Sequence, residues 1–331
     1  MASSSVTVHA LRAGRFTIPE HIFVTGASEL DRKTVPSLAF LIQHHNISTG
    51  KTTRIVFDLG LRRDIRRYPA PIERHLRTRQ PLETDPDVVK SLAAGGLSPN
   101  DIDYVHWDHV GEPRDFTRST FVVGYGSLDL LRGKIPAPRG SHTIFEHDLI
   151  PHDRTVQLLD PGISDTGLNL NEPNSEESPG SPDFKQLWKS HSEGSVSCIA
   201  MDVFHDGSVY LIDAPGHLPG HTNLLARTDM GSIYLAGDAC HDRGILRKER
   251  GISQWQDSTG HVCCIHADPK RTEETLELLR ALERQGVEVI LGHDVDWEMD
   301  PVNAHRFWGH AESEGRSKGQ DNKAHSRQSE L

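Results

Sequence analysis

The residues of this chain with the clearest capacity for chemistry are grouped in one short stretch. His106, Asp108 and His109 fall within four positions, directly after the apolar segment 102–105. Imidazole nitrogens and a carboxylate oxygen suit a metal such as zinc, and a tight turn after a strand can direct all three side chains towards one point. Because the chain contains 21 histidines, this stretch alone is weak evidence for a metal site.

Three later segments strengthen the interpretation, because each is an apolar strand-like run that ends in a small residue and then a potential metal ligand. The ligands are His217, Asp238 and His293. A carboxylate at a buried strand end is costly without a compensating cation, which favours Asp238 as a metal ligand. His217 and His221 share a repeated Pro-Gly-His sequence; we expect only one direct ligand, with the other residue packing against it or orienting it.

In their order and residue types these motifs resemble those of the metallo-β-lactamase superfamily, over a part of the chain from about residue 37 to about residue 310. The resemblance implies an α/β fold, the αββα sandwich, and a centre of one or two zinc ions in which Asp238 bridges the metals. It selects His217 rather than His221 as the direct ligand. The metal ligands implied in this way are His106, Asp108, His109, His217, Asp238 and His293.

The first motif departs from the family pattern, which reads His-x-His-x-Asp-His. Tyr104 stands where the first histidine is expected, and the stretch before the ligand turn is about five residues short. Five residues correspond to about 16 Å of strand at ~3.3 Å per residue, and an odd slip reverses the face to which side chains point. We therefore expect one tight zinc and one weak or absent zinc, a strained or displaced ligand turn, and low activity.

The resemblance is strongest to the lactonase-like hydrolases, which implies hydrolysis of a cyclic ester, amide or carbamate of natural-product size. Metal coordination lowers the pKa of bound water from ~16 towards ~7 and polarises a carbonyl group. We assign catalytic roles to Asp108 and to His241, which stands where those lactonases have a tyrosine that donates to the substrate. His241 could act as an acid there, but a surface histidine explains the sequence at least as well.

Two other functions stay open on the sequence alone. One is a shortened form of a hydrolase that is weakly active or inactive. The other is an oxidoreductase similar to the iron-dependent persulfide dioxygenases, which use the first motif histidine; Tyr104 at that position argues against it. We assign no role to the following histidines: His205, His261, His266, His305 and His310.

Charge and composition restrict the class of partner. With 36 basic and 47 acidic residues the formal net charge is −11, so we expect no nucleic-acid partner, because phosphate binding needs clusters of Lys and Arg. No run approaches the ~20 apolar residues of a membrane span, and no apolar run of signal-peptide length stands near the N-terminus. The four cysteines do not suggest a disulfide framework. We predict a cytoplasmic protein with a small-molecule substrate.

The rest of the sequence predicts the elements that position these side chains. Strands are predicted at 6–11, 37–42, 53–58, 120–123, 197–204, 208–212, 222–228, 232–235 and 287–291, and helices at 85–94, 127–131 and 268–285. The basic segment 62–82 is either a solvated loop or a lid over the substrate. Residues 1–310 are predicted as one domain, with a long insertion at 160–190 that is a spacer or a substrate-covering loop. A disordered tail is predicted at 311–331.

Overall fold

The computed structural model describes residues 4–107, 111–136, 140, 144–163 and 180–310. The predicted ligands Asp108 and His109 lie outside the described residues, as do the middle of the predicted insertion and the predicted tail. Among the residues that are described, no helix is long and apolar enough to span a membrane.

Seven strands form the first sheet. They are β1 (Ser4–Pro19), β2 (Arg32–Asn46), β3 (Thr52–Phe57), β4 (Leu82–Glu83), β5 (Tyr104–His106), β6 (Thr120–Val123) and β7 (Thr155–Gln157). Their spatial order is β4-β1-β2-β3-β5-β6-β7, with β3, β5, β6 and β7 parallel to one another. Strands β2 and β3 pair antiparallel and correspond to the strands predicted at 37–42 and 53–58.

Six strands form the second sheet, and two more form a small hairpin. The strands of this part are β8 (Lys189–Glu193), β9 (Val196–Asp202), β10 (Val209–Asp213), β11 (Thr222–Thr228), β12 (Gly231–Leu235), β13 (Gln254–Gln256), β14 (Val262–Cys264) and β15 (Glu288–Ile290). The second sheet has the order β15-β12-β11-β10-β9-β8, and β13 pairs with β14. The sequence does not predict the β13–β14 hairpin, because its strands have only three residues each.

Helices cover the outer faces of the two sheets. They are α1 (Ala70–Arg77), α2 (Val88–Ala94), α3 (Ser127–Leu131), α4 (Arg243–Leu246), α5 (Pro269–Arg284) and α6 (Val295–Met299). The start of α5 follows from its sequence, because the Asp268 carboxylate accepts hydrogen bonds from the backbone N–H groups of Lys270 and Arg271. Proline at the first helical position has no N–H to leave unsatisfied.

The alternation of side chains along the strands divides the core into three layers. Phe40 and Ile42 of β2 pack with Leu224 of β11 between the two sheets. Leu41, which points the other way, packs with α2 on the outer face of the first sheet. Leu276 of α5 packs on the outer face of the second sheet. Helix, sheet, sheet and helix follow in order, which confirms the predicted αββα sandwich.

The parallel strands bring several loops to one edge of the second sheet. Strands β12 and β15 pair in parallel, and β10 runs in the same direction as β12 because both are antiparallel to β11. The carboxyl ends of β10, β12 and β15 therefore lie at the same edge. The loops that follow these three strands carry His217, Asp238 and His293.

The basic segment at 62–82 is only partly solvated. It contains α1, and three of its side chains are buried, with relative exposures of 2% for Arg62, 8% for Tyr68 and 9% for Leu76. The segment packs against β1 and β4 through a small apolar cluster.

Candidate metal centre

Glycines shape the backbone around Asp238, which lies in the short helical turn Gly237–Ala239 after β12. Gly237 has a φ of 47°, in the left-handed region that glycine adopts without strain. A Cβ atom on Gly292 would lie 3.1 Å from Asp238 Oδ1, so the absence of a side chain there lets the two loops approach closely. The Gly292 N–H also donates to the Gly237 carbonyl over 2.8 Å.

The two carboxylate oxygens of Asp238 face two different histidines. Oδ1 lies 3.2 Å from His293 Nε2, and Oδ2 lies 3.5 Å from His217 Nε2. Burial by itself raises the pKa of Asp238, but the charge and hydrogen bond of His293, with the charges of His241 and His217, hold this pKa well below its usual range. Asp238 is therefore an ionised, buried carboxylate with a histidine on each side, as a bridging metal ligand requires.

A backbone contact orients His293. Its Nδ1 donates to the Pro36 carbonyl over 2.8 Å, which directs Nε2 towards Asp238. Metal-binding histidines commonly use their second nitrogen in this way, because the hydrogen bond fixes the tautomer and the ring orientation. The contact also ties the loop after β15 to the first sheet.

Two groups of side chains have donor atoms that lie within 4.8 Å of one another. The Asp238 group consists of Asp238, His241 and His293, and the His266 group consists of His217, His241 and His266. Every member is buried except His293, which is partly exposed. One carboxylate and four imidazoles gathered in a buried place are a donor set that zinc takes in proteins, so the residues fit a metal centre.

Among the residues that the structure describes, His106 belongs to neither group, and its role as a metal ligand stays a prediction. Its Nε2 lies 2.6 Å from Thr222 Oγ1, and its ring stacks on Phe57 with 4.9 Å between centroids. Strand β5 is paired in register with both neighbours up to His106, opposite Phe57 and Val122. His106 thus ends strand β5, and its side chain enters the core between the sheets beside Phe57.

The structure brings two residues to the centre that sequence reasoning missed. His266 directly follows the short apolar run 262–265, without the small residue that precedes His217, Asp238 and His293, so the motif pattern does not mark it. Asp58 follows β3 and has a φ of 65°, and its backbone N–H donates to the His106 carbonyl over 3.0 Å. Its place at the end of a predicted strand is the signal that could have identified it. His241, in contrast to a surface histidine, is only 4% exposed.

A cavity of about 600 Å³ opens above the Asp238 group. Asp238, His241 and His293 lie at its base. Its walls are largely apolar and include Phe16, Phe23, Leu61, Tyr68, Ile72, Trp107, Ile144, Phe145, Leu149 and Ile265. The volume falls within the range of ~300–1,000 Å³ that small-molecule sites occupy.

One buried cation belongs to the cavity wall and is neutralised there. Arg62 donates to Glu146 Oε2 over 2.8 Å and to the Gly111 carbonyl over 2.7 Å, and its guanidinium stacks 4.3 Å from the centre of the Tyr68 ring. The interaction with Arg114 and Arg62 outweighs burial and lowers the pKa of Glu146. At this position of the wall, the positive charge of Arg62 is therefore paired with the carboxylate of Glu146.

Comparison with known proteins gives relatives at low identity, and no family model matches the chain. The chain is 27% identical over 322 residues to the cytochrome P450 monooxygenase mpaDE of Penicillium brevicompactum. The aligned region covers 88% of this chain and 34% of that protein. It is 29% identical over 203 residues to the gamma-lactamase MBL2 of Gibberella moniliformis, and this aligned region covers 58% of this chain and 73% of that protein. The chain thus spans about a third of the length of the first of these relatives.

Among solved structures, a quorum-quenching N-acyl homoserine lactone hydrolase matches with a TM-score of 0.56 and 16% identity. The match covers 90% of this chain and 96% of that one. At this identity the similarity shows a shared fold.

Proposed function

The chain has the fold of the metallo-β-lactamase superfamily, and from this premise we propose that it is a metal-dependent hydrolase that opens a lactone or lactam ring. One observation carries the proposal: the Asp238 group forms the base of a cavity large enough for a small molecule. A gamma-lactamase among the sequence relatives and a lactone hydrolase among the structural matches support the same class of reaction.

Zinc is the metal we propose, on the basis of the carboxylate and imidazole donors. Zinc supplies Lewis-acid activation of water and of a substrate carbonyl when it is bound. Asp238 and His293 would hold it at the cavity base, together with Asp108 and His109, the ligands predicted from the sequence that lie outside the described residues. The hydrogen bond from His293 to Pro36 fixes the position of this histidine before substrate arrives.

The cavity wall supports a proposal for the class of substrate. Aromatic and aliphatic side chains surround the space above the metal ligands, and Arg62 is already paired with Glu146. Such a wall excludes water and favours an uncharged ring with apolar substituents. His241 lies at the cavity base, where it could donate a proton to the leaving group or bind metal.

A panel of lactones and lactams with alkyl and aryl substituents tests the proposal. We expect the zinc-loaded protein to open at least one member, chelation to abolish turnover, and added zinc to restore it. A protein that carries zinc, retains its circular dichroism spectrum and opens no member of the panel would contradict the proposal.

A second candidate is a shortened hydrolase that binds metal with little or no turnover. The position of His106, hydrogen-bonded to Thr222 in the core, favours it because this removes a predicted ligand from the centre. The same panel distinguishes the two candidates, since the second predicts bound zinc without ring opening.

A further inference from the structure

We propose that His217, His241 and His266 bind a metal ion of their own, in a three-histidine site that replaces the position weakened at the first motif. The inference deepens the proposed hydrolase function, on which it rests, but it concerns metal binding and is testable without a substrate. The family pattern would supply two histidines from the first motif to this metal. Here Tyr104 stands at one of those positions and His106 is held in β5.

The three rings surround a common point. Ring centroids lie 5.2 Å apart for His217 and His241, 5.4 Å for His217 and His266, and 4.9 Å for His241 and His266. The rings meet at interplanar angles of 57–79°, so they do not stack on one another. Steeply inclined rings of this kind can direct one nitrogen each to a shared centre.

Backbone hydrogen bonds hold the His266 loop against the His217 loop. The Ala267 N–H donates to the His217 carbonyl over 2.8 Å, and the Asp268 N–H donates to the Gly216 carbonyl over 2.9 Å. A Cβ atom on Gly216 would lie 2.3 Å from Thr272 Oγ1 in the first turn of α5, so glycine permits this approach. These backbone contacts therefore hold His217 and His266 close together, whatever their side chains bind.

The burial of His266 supports the site independently of the arrangement of the rings. This residue is 2% exposed, and its Nδ1 has no hydrogen-bond partner among the residues that the structure describes. A buried polar atom without a partner costs free energy, and a metal ion would offset that cost.

Three histidines and an open position form a known type of catalytic zinc site. Ligand atoms at about 2.0–2.1 Å from a tetrahedral zinc lie roughly 3.4 Å from one another. The donor atoms of the His266 group lie within 4.8 Å, so binding needs a small contraction. Asp238 Oδ2 lies 3.5 Å from His217 Nε2, next to this three-histidine site. The same carboxylate would therefore serve both this site and the site at His293. In this arrangement His241 is a metal ligand and not the proton donor.

Metal content measures the inference directly. We expect the full-length protein, purified after zinc loading, to contain two zinc ions per chain. His266→Ala should lose one of them and retain the other, and His293→Ala should do the same at the second site. His44→Ala is the matched control, because His44 is 1% exposed, pairs with Asp206 away from the centre and belongs to neither group. It should retain both ions.

Cobalt substitution identifies the ligand. His266→Cys should bind cobalt with a thiolate-to-metal charge-transfer band in the near ultraviolet, and this band should be missing from the wild-type protein. A wild-type band would instead make one of the nearby cysteines a ligand, and would overturn the three-histidine site. A wild-type content of one zinc per chain, or an unchanged zinc content in folded His266→Ala, would also overturn the three-histidine site. Two zinc ions without turnover on the lactone and lactam panel would reject the hydrolase and leave the metal site intact.

Discussion

The negative charge of the Asp238 carboxylate is shared by its two oxygens, and each oxygen faces a different histidine. One oxygen faces His293 and the other faces His217, and the residue is 7% exposed. Asp238→Asn keeps the shape of the side chain and removes this charge. We expect it to lose most of the bound zinc and to lower kcat/KM by at least about 100-fold, since outer partners of metal ligands alone change activity by ~10–100-fold.

Zinc analysis and kinetics on the best substrate of the panel measure this effect. Asp213→Asn is the control, because Asp213 ends the neighbouring strand β10 and is outside both ligand groups. Unchanged zinc in folded Asp238→Asn would exclude this aspartate from the metal centre.

His106 has the opposite expected behaviour, because the structure places it in the core. Its hydrogen bond to Thr222 joins β5 of the first sheet to β11 of the second. Removal of one partner of a buried hydrogen bond costs about 1–3 kcal/mol. We expect His106→Leu to lower the free energy of unfolding by about this amount, with the zinc content retained.

Urea unfolding of His106→Leu, Thr222→Val and the double variant checks the assignment. The two substitutions remove the same hydrogen bond, so their effects on the free energy of unfolding should not be additive. Loss of zinc from His106→Leu would restore the ligand role that the motif predicts.

At the scale of elements, the sequence indicates a candidate ligand where that residue closely follows a predicted apolar strand. His217, Asp238 and His293 are of this kind, and their strands end together because β10, β12 and β15 run in one direction. His266 could not be found in this way. Its position depends on the short β13–β14 hairpin and on backbone contacts between loops that are 50 residues apart in the sequence, which no local pattern encodes.

The turn between β9 and β10 contains Asp206-Gly207, a sequence that suits hairpin turns, and it carries an interaction that links the two sheets. Asp206 Oδ2 lies 2.7 Å from His44 Nε2 of β2. Burial raises the pKa of Asp206, but hydrogen bonds from His44, Ser208 and Ser4 outweigh it and hold this pKa far below the usual value. A lowered pKa in the folded state stabilises the protein above the unfolded value of ~3.9, and this contribution is lost as the pH falls below it.

Asp206→Asn should therefore be less stable than the wild type at pH 7, and the difference should shrink as the pH falls from about 5 to 3. Thermal unfolding of both proteins across this range measures the difference in Tm. A difference in Tm that is independent of pH would show that the Asp206 charge does not contribute.

The segment that contains α1 contributes one wall of the cavity. Ile72 is partly buried and faces the cavity, beside Leu76 and Tyr68. Ile72→Asp would place a charge on this apolar wall at a distance from the metal ligands. We expect KM for an apolar lactone to rise about tenfold or more, because the desolvation of a carboxylate opposes binding, while zinc content stays unchanged.

Steady-state kinetics and zinc analysis test this expectation. Val302→Asp is a suitable control, since Val302 is 71% exposed and does not line the cavity. Equal KM values for the two variants would mean that the segment does not contact substrate.

At the scale of the whole molecule, metal binding should contribute to stability. The ligands on the second-sheet side come from four separate loops, which follow β10, β12, β14 and β15. A ligand that binds only the folded state stabilises it by about 4 kcal/mol at 1,000 times its dissociation constant. Chelation should lower the Tm of the wild type by several degrees, and added zinc should restore it.

The same chelation experiment on His266→Ala should give a smaller decrease in Tm, because one site has already been removed. Differential scanning calorimetry with and without chelator compares the two proteins. An identical decrease in both would mean that His266 contributes nothing to metal-dependent stability.

The cavity draws its base and most of its walls from different parts of the chain. Four of the five described candidate ligands lie between residues 217 and 266 and the fifth is His293, whereas Phe16, Phe23, Leu61, Tyr68 and Ile72 all precede residue 80. Much of the cavity wall and the described metal ligands are thus encoded in separate stretches of the gene. Recombination or a mutant library confined to the first 80 codons can diversify what the protein accepts, and every described metal-binding side chain is inherited unchanged.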